Sequence, residues 1–375
     1  MITSRRNEKI LFAIDGNIAG GAERQLVTLA NSFCRHGYDV TLVNSDTDSD
    51  FYKVDERIKL IKMGVDSEKR RSKRLYLKYK NMKTILEKTR PDAVVVFLFN
   101  MELPTILACL RKKIPVYTSI RCGNKLNTLN NIFGRLFYNR IAGVVFQTET
   151  TRKKYFFPKI SRYDVIPNAI PLDVVEDSKP IKYGERTNWI ISAGRLVAPK
   201  NQSMLIRVFE RIADEDKKVE LHIFGEGILK DKLKTQARLS RFSDRIFLDG
   251  VEYDVMKKHR DAKAFAFTSL YEGYPNALIE AMANGIPVIT TNFSKGLAAE
   301  IIKDGINGYV CEDEDAYVIK LKQILNDASV SDKLAANAKL IMSELNEERI
   351  FGKWEQFLFL KNKVKSETPK ESAHG

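Results

Sequence analysis

Short apolar runs alternate with longer, more polar segments through most of the chain. In the first half these runs fall at residues 9–14, 40–43, 93–97, 116–120 and 143–147. Each run has the aliphatic character of a buried strand, and the segments between them are long enough to hold helices. The alternation therefore predicts a doubly wound α/β domain built on a parallel sheet.

A polar, turn-rich stretch at residues 171–187 interrupts the pattern, and an apolar run at 188–192 restarts it. We interpret this stretch as a linker between an N-terminal domain, residues 1–170, and a C-terminal domain, residues 188–346. Apolar residues recur at helical spacing in residues 347–365, which predicts a final helix, and the polar tail 366–375 is expected to be disordered. Two Rossmann-like halves in succession place the ligand site in the cleft between them.

The segment from residue 264 to residue 290 predicts a strand, a loop, a helix and a second strand. Pro275 suits the first position of the helix, and Gly285 suits its C-cap. Such a unit builds parallel sheet, and it places the loop at the carboxyl edge, where α/β proteins bind ligands.

Two glutamates stand eight residues apart in this unit, Glu272 in the loop and Glu280 on the helix. Glu280 lies one turn after Asn276 on the same helix face, so both carboxylates can face one ligand. Gly273 permits close approach, and the amides of residues 276–278 form a helix N-terminus that favours phosphate. Carboxylates for hydroxyls beside an anion site suggest a nucleotide sugar. The alternative is a loop charge and a solvated helix residue, which is the common explanation for an isolated pair.

Two basic residues follow the predicted strand at 188–192. Arg195 and Lys200 could converge on a diphosphate, although two exposed charges in a polar loop would have the same spacing. Gly20 and Gly21, in the loop after the first strand, could let the backbone approach the same phosphates or could serve only a tight turn.

The net charge of +14 is confined to the N-terminal half of the chain. Residues 1–170 contain 31 basic and 16 acidic residues, whereas residues 171–375 contain 31 and 32. Much of the excess lies at residues 69–83, where apolar positions recur at helical spacing beneath basic ones. This segment is either a solvated surface helix or a surface for an anionic membrane or lipid diphosphate. Nucleic acid is not expected, because no zinc-ligand or aromatic RNA-binding pattern accompanies the charge.

The remaining composition is that of a cytosolic protein. Of the 375 residues 44% are apolar, no apolar run reaches the length of a membrane span, and the polar start lacks the core of a secretory signal. The four cysteines have neither paired nor metal-like spacing, so we expect free thiols. The D-x-D pattern that begins at Asp46 falls in a polar stretch after the second strand and is expected to be a solvated loop. We predict no metal and no cofactor.

The segment around the two glutamates closely resembles the signature of retaining GT-B glycosyltransferases of the group 1 family, which includes capsule and lipopolysaccharide transferases. Further matching motifs lie at residues 20–24, 165–170, 192–196, 200–201, 223–227 and 304–309, in the order and spacing of that family. The resemblance implies two Rossmann-like domains that face each other across a cleft. It also implies that the final helix packs back onto the N-terminal domain.

The resemblance further implies a role for each matching residue. Arg195 and Lys200 would neutralise the leaving diphosphate, Glu272 would contact the donor sugar, and Glu280 would bind the ribose hydroxyls. The remaining donor-binding residues would be Gly20, Gly21, Gly273, Tyr274, Pro275, Asn276, Ala277 and Leu278. The leaving phosphate would assist deprotonation of the acceptor hydroxyl, so no protein base would be required.

The implied reaction transfers a hexosyl or N-acetylhexosaminyl group from a nucleotide sugar, with UDP favoured, to a glycan. The acceptor would be lipid-linked and the enzyme peripheral on the inner face of the cytoplasmic membrane. Alternatives on the same architecture are a nucleotide-sugar epimerase, a phosphorylase or a non-catalytic sugar- or lipid-binding scaffold. The joint presence of the four charged donor residues argues against the scaffold.

One position departs from the family pattern. Many relatives have a histidine after the strand at 116–120, where this chain has Arg121 and, three residues later, Asn124. We assign these two residues to the acceptor side. For Arg121, contact with the donor, contact with an anionic acceptor and a structural salt bridge all remain open.

Overall fold

The structure, a computed structural model, describes residues 8–16, 20–46, 52–121, 136–155, 160, 162–176 and 178–359. These residues form two parallel sheets, each with apolar cores on both of its faces. The predicted architecture of two Rossmann-like halves is confirmed. Among the described helices, none is both long enough and apolar enough to cross a bilayer.

The N-terminal sheet has seven parallel strands in the order β3-β2-β1-β4-β5-β6-β7. They are β1 (Lys9–Ile14), β2 (Asp39–Asn44), β3 (Lys59–Lys62), β4 (Ala93–Phe97), β5 (Val116–Ile120), β6 (Gly143–Phe146) and β7 (Tyr163–Val165). The described helices around them are α1 (Gly21–Arg35), α2 (Arg71–Thr89), α3 (Phe99–Lys112) and α4 (Glu149–Tyr155). Strand order reverses between β1 and β4, so the loops after these strands diverge and leave a crevice at the carboxyl edge.

The C-terminal sheet has six parallel strands in the order β10-β9-β8-β11-β12-β13. They are β8 (Thr187–Ala193), β9 (Glu220–Phe224), β10 (Ile246–Gly250), β11 (Ala262–Phe267), β12 (Val288–Thr291) and β13 (Tyr309–Cys311). Its helices are α5 (Gln202–Ala213), α6 (Lys230–Leu239), α7 (Val255–Lys258), α8 (Asn276–Ala283), α9 (Leu297–Ile301), α10 (Glu314–Asn326), α11 (Ala328–Lys339) and α12 (Ile341–Leu345). Here strand order reverses between β8 and β11.

The last described helix, α13 (Glu347–Phe359), lies against the N-terminal domain. Trp354 is 1% exposed and belongs to the core formed by β1, β4 and α1. The Phe351 ring packs edge-on against Phe33 of α1, with 4.8 Å between centroids. The Tyr117 hydroxyl donates to the Leu358 carbonyl at 2.9 Å. Helix α13 thus completes the core that β1, β4 and α1 form.

The basic segment at 69–83 falls at the start of α2. Met82 and Leu86 are buried, as their spacing predicts, and most of the basic side chains are exposed. Lys78 differs, because it is buried and pairs with Asp15 at the carboxyl end of β1. Lys78 is therefore part of the sheet edge and not of the exposed basic face of the helix.

Candidate active site

Two loops meet where strand order reverses in the C-terminal sheet. One follows β8 and contains Arg195 and Lys200, and the other follows β11 and contains Glu272. The Thr268 hydroxyl donates to the Lys200 carbonyl at 3.0 Å, which fastens the second loop to the first. The two loops are thus held together at the crevice of an open α/β sheet.

Lys200 and Glu272 form an ion pair between these loops. Lys200 Nζ lies 2.6 Å from Glu272 Oε1, and the two side chains are 19% and 10% exposed. The Glu272 backbone is fixed from behind, since its amide donates to Ser294 Oγ at 2.9 Å and Ser294 Oγ donates to its carbonyl at 3.0 Å. Two predicted residues are therefore in direct contact, with a cation held at the sheet edge.

Arg195 is exposed and, within the described part of the chain, makes no ion pair. Its charge acts on Glu23, in the first turn of α1 in the other domain. Burial raises the pKa of Glu23, and Arg195 opposes that rise. Arg195 therefore presents a positive charge to the opposite side of the cleft.

Helix α8 begins directly after Pro275, one position later than the sequence predicts, and Gly285 follows its C-cap Asn284 in a left-handed conformation with φ of 69°. The Asn276 amide donates to the Tyr274 carbonyl at 3.0 Å, so it is not available to a ligand. The amides of Ala277 and Leu278 have no partner among the described residues. These two amides point out of the helix N-terminus and are free to donate to an anion.

Glu280 of α8 pairs across the cleft with Arg24 of α1. The Arg24 Nη1 to Glu280 Oε1 distance is 3.0 Å, and the side chains are 18% and 16% exposed. Burial raises the pKa of Glu280, and Arg24 opposes that rise. Arg24 ends the motif at residues 20–24 but was not among the predicted site residues.

Gly21, at the start of α1, allows a close approach between the domains. Gly20 is the N-cap, with an extended φ of −133° that any residue adopts. A Cβ on Gly21 would lie 2.6 Å from Asn276 Nδ2 of α8. A side chain at residue 21 would therefore have to displace the Asn276 amide, so the constraint on Gly21 comes from the other domain rather than from a tight turn.

Arg121 packs on an aromatic ring and bonds to an amide, and it forms no salt bridge with a described residue. Its guanidinium lies 3.6 Å from the centre of the Phe97 ring, and its Nη1 donates to Asn168 Oδ1 at 2.6 Å. No described carboxylate pairs with it, and burial lowers its pKa to about 9. Asn124 lies outside the described residues.

Asn168 lies in the motif at 165–170 but was not among the predicted site residues. Its Oδ1 accepts from Arg121 and, at 2.8 Å, from Gln147 Nε2. Its Nδ2 donates to Asn276 Oδ1 of the C-terminal domain at 2.8 Å. A buried amide thus joins the two domains at the start of α8.

The D-x-D pattern cannot be placed in full, because only Asp46 of its residues lies within the described ranges. In those ranges no group of three or more His, Cys, Asp or Glu side chains could hold a metal ion.

Two family models together span most of the chain. Residues 19–174 match "Glycosyltransferase Family 4", and residues 174–341 match "Glycosyl transferases group 1". The chain belongs to the group 1 glycosyltransferases. It is therefore a nucleotide-sugar glycosyltransferase, as the resemblance of its motifs implies.

Relatives of this glycosyltransferase match along nearly its whole length. An α-1,4-N-acetylgalactosaminyltransferase of Campylobacter jejuni is 27% identical over 361 residues, which cover 92% of this chain and 97% of the relative. The amylovoran biosynthesis glycosyltransferase AmsD of Erwinia amylovora is 25% identical, with 93% and 99% covered. HepE of Anabaena, solved with UDP and glucose, superposes with a TM-score of 0.77 at 17% identity and covers 94% and 99% of the two chains. This superposition confirms the GT-B fold.

Replacing Arg24 with Met tests the ion pair between the domains. At pH 7.5 the variant should lose about 2 kcal/mol of unfolding free energy, less than the roughly 3–5 kcal/mol of a fully buried pair. Without Arg24 the pKa of Glu280 rises further, so the folded state keeps this proton at a pH where the unfolded chain has lost it. The loss should therefore be small at pH 4.5 and should grow as the pH rises through the folded pKa.

The measurement is urea unfolding of the variant and the parent at both pH values. Arg207→Met, which removes one member of an exposed pair with Glu314, is the control and should change stability little at either pH. An Arg24 effect of equal size at both pH values would contradict the assignment.

Proposed function

We propose that this glycosyltransferase transfers a hexosyl or N-acetylhexosaminyl residue from a UDP-sugar to a lipid-linked glycan, with retention of configuration. The name of the Campylobacter relative specifies an acceptor built on diphospho-undecaprenol, and the HepE structure contains UDP and glucose. The Erwinia relative acts in amylovoran biosynthesis. These similarities support a role in bacterial surface polysaccharide or glycan synthesis, including capsule and lipopolysaccharide.

The pairing of Lys200 with Glu272 at the sheet edge is the observation that carries this proposal. A diphosphate that leaves the sugar develops negative charge, and Lys200 is already held in place to receive it, with Arg195 as the second cation. The free amides of Ala277 and Leu278 supply hydrogen bonds to phosphate oxygens. As Lys200 turns to the diphosphate, Glu272 becomes available to accept from sugar hydroxyls.

Glu280 is assigned to the ribose. Its Oε1 accepts from Arg24, and in the described part of the chain no donor reaches its Oε2. A carboxylate with one fixed oxygen and one free oxygen can accept from a ribose hydroxyl without breaking the contact with Arg24. Glu280 therefore binds the nucleotide while it stays bonded to the other domain.

The reaction is proposed to take place on one face of the sugar. The bond from the anomeric carbon to the phosphate oxygen breaks, and a bond to the acceptor oxygen forms. The acceptor proton moves to an oxygen of the departing phosphate, so atoms and charge balance without a protein base. The protein contributes the position of the donor and the cations that stabilise the departing charge.

We also propose that the enzyme works in the cytoplasm, at the inner face of the membrane, bound through α2. Arg71 and Lys73 are exposed at its start, and Lys69 and Arg70 are exposed just before it. A cluster of this kind attracts anionic lipids, at about 1 kcal/mol for each basic residue near the surface. Such contact would bring the cleft to a lipid-linked acceptor.

Replacing Lys200 or Glu280 with Ala should weaken UDP binding. Each variant loses a charged group that faces the diphosphate or the ribose, so we expect at least a tenfold rise in Kd, about 1.4 kcal/mol. Isothermal titration with UDP measures this change. Lys232→Ala, at an exposed position on α6, should bind UDP like the parent. Parental affinity in both site variants would refute the donor-site assignment.

Transfer should not depend on a metal ion, because Lys200 and Arg195 supply the positive charge at the leaving diphosphate. We expect the initial rate with donor and acceptor to be unchanged in excess EDTA. A rate that EDTA abolishes and Mg²⁺ restores would overturn this proposal.

Binding to anionic vesicles should depend on the start of α2. A variant with Lys69, Arg70, Arg71, Lys73 and Arg74 changed to Gln should bind phosphatidylglycerol vesicles much more weakly than the parent. Added salt should weaken binding of the parent, because it screens these charges. The matched control changes five exposed basic residues of the C-terminal domain. They are Lys217, Lys218, Lys232, Lys234 and Arg238. Equal binding by both variants would contradict docking through α2.

A further inference from the structure

A chain of hydrogen bonds leads from Arg121 through Asn168 to Asn276, and its direction is fixed by chemistry. Arg121 and Gln147 can only donate with the atoms that reach Asn168, so the Asn168 oxygen must face them. Its Nδ2 is then turned to Asn276, where it donates at 2.8 Å. Asn276 must offer its oxygen in return, which leaves its own Nδ2 facing Gly21 at the start of α1.

The origin of this chain is a positive charge that no described carboxylate neutralises. Arg121 is held by the ring of Phe97 and by the Asn168 oxygen. The Arg121 Nε is buried and has no hydrogen-bond partner among the residues that the structure describes. A half-buried guanidinium with a buried, unpartnered nitrogen is costly to the fold, and desolvation opposes its charge. Such a cost is typical of a group whose charge serves a ligand.

We propose that Arg121 is a positioning residue, which acts through Asn168 to present the Asn276 Nδ2 as a hydrogen-bond donor to the nucleotide diphosphate. This inference rests on the proposed function, because it requires an anionic donor between α1 and α8. The two amides polarise in the same direction, so the charge of Arg121 strengthens the donor at the far end. Arg121 itself does not touch the ligand.

The chain of bonds crosses from one domain to the other. Arg121, Gln147 and Asn168 belong to the N-terminal domain, and Asn276 begins helix α8 of the C-terminal domain. The Asn276 amide is therefore oriented only while the two domains are in contact. A donor bound in the closed cleft meets an oriented N–H group, and an open cleft presents an amide that is free to turn.

Asn168→Asp separates this role from a structural one. A carboxylate beside Arg121 neutralises its charge, so the thermal midpoint should equal or exceed that of the parent. The same carboxylate can only accept from Asn276, which must turn its Nδ2 inward and its oxygen toward the diphosphate. UDP should then bind about tenfold more weakly, the scale of a lost hydrogen bond to a charged group. UDP affinity within twofold of the parent would overturn the proposal.

A second variant tests the proposal independently, in case Asn168→Asp is too unstable to be measured. Asn276→Asp keeps the bond from Asn168 and replaces only the N–H group that faces Gly21, so it should also bind UDP at least tenfold more weakly. Parental UDP affinity in this variant would overturn the proposal even if Asn168→Asp does not fold.

The matched control is the same change at the other end of α8. Asn284 Nδ2 donates to the Val174 carbonyl at 2.9 Å, and its Oδ1 accepts from the Glu176 amide at 3.0 Å. Asn284→Asp should lower the thermal midpoint and leave UDP affinity near the parental value. Equal weakening in Asn284→Asp and Asn168→Asp would mean that loosening of α8 is the cause, and would also overturn the proposal.

Lys200→Ala distinguishes failure of this inference from failure of the proposed function. If UDP binding is lost in Lys200→Ala and kept in Asn168→Asp, the donor site stands and the positioning role of Arg121 does not. If the parent itself does not bind UDP, the proposed donor fails, and the inference fails with it.

Discussion

The packing of α13 on the N-terminal sheet holds the two domains in their relative position. This helix follows directly on the C-terminal domain, yet Trp354, Phe357 and Phe351 fill the apolar face of the first sheet. Each buried side chain of this size contributes roughly 1.5–3 kcal/mol, so the N-terminal core is incomplete without the end of the chain. The carboxyl edges of both sheets therefore face the same cleft.

Polar contacts also join the two domains, beside the apolar packing of Tyr274, Ile279 and Ala283 with the first core. Arg24 pairs with Glu280, Asn168 bonds to Asn276, and the Glu300 carboxylate accepts from the amides of Glu149 and Thr150 at the start of α4. Polar contacts exchange with water at a low net free energy, whereas exposing the apolar face of α13 is costly. The attachment at α13 is therefore more costly to break than these polar contacts.

The strands at 93–97 and 116–120 follow from local pattern alone, because central strands of a parallel sheet are buried on both faces and read as continuous apolar runs. The pattern did not reveal the edge strand β3, whose exposed lysines resemble a loop. Glu272, Lys200 and Glu280 could be nominated from their motifs. Their partners could not all be predicted, since Arg24 lies 256 residues from Glu280 and meets it only through the placement of the domains. The same holds for Asn168, whose role depends on where α8 begins relative to the first sheet.

The side chain at residue 21 is limited by the close approach of the other domain, not by the fold of its own domain. Its N-terminal domain would accept a side chain there, because the group that a Cβ would strike, the Asn276 amide, belongs to the other domain and is held by Asn168. A methyl group at this position would hold the two domains apart and keep the cleft partly open, without unfolding either domain. The absence of a side chain at residue 21 thus determines how closely the two domains can approach each other.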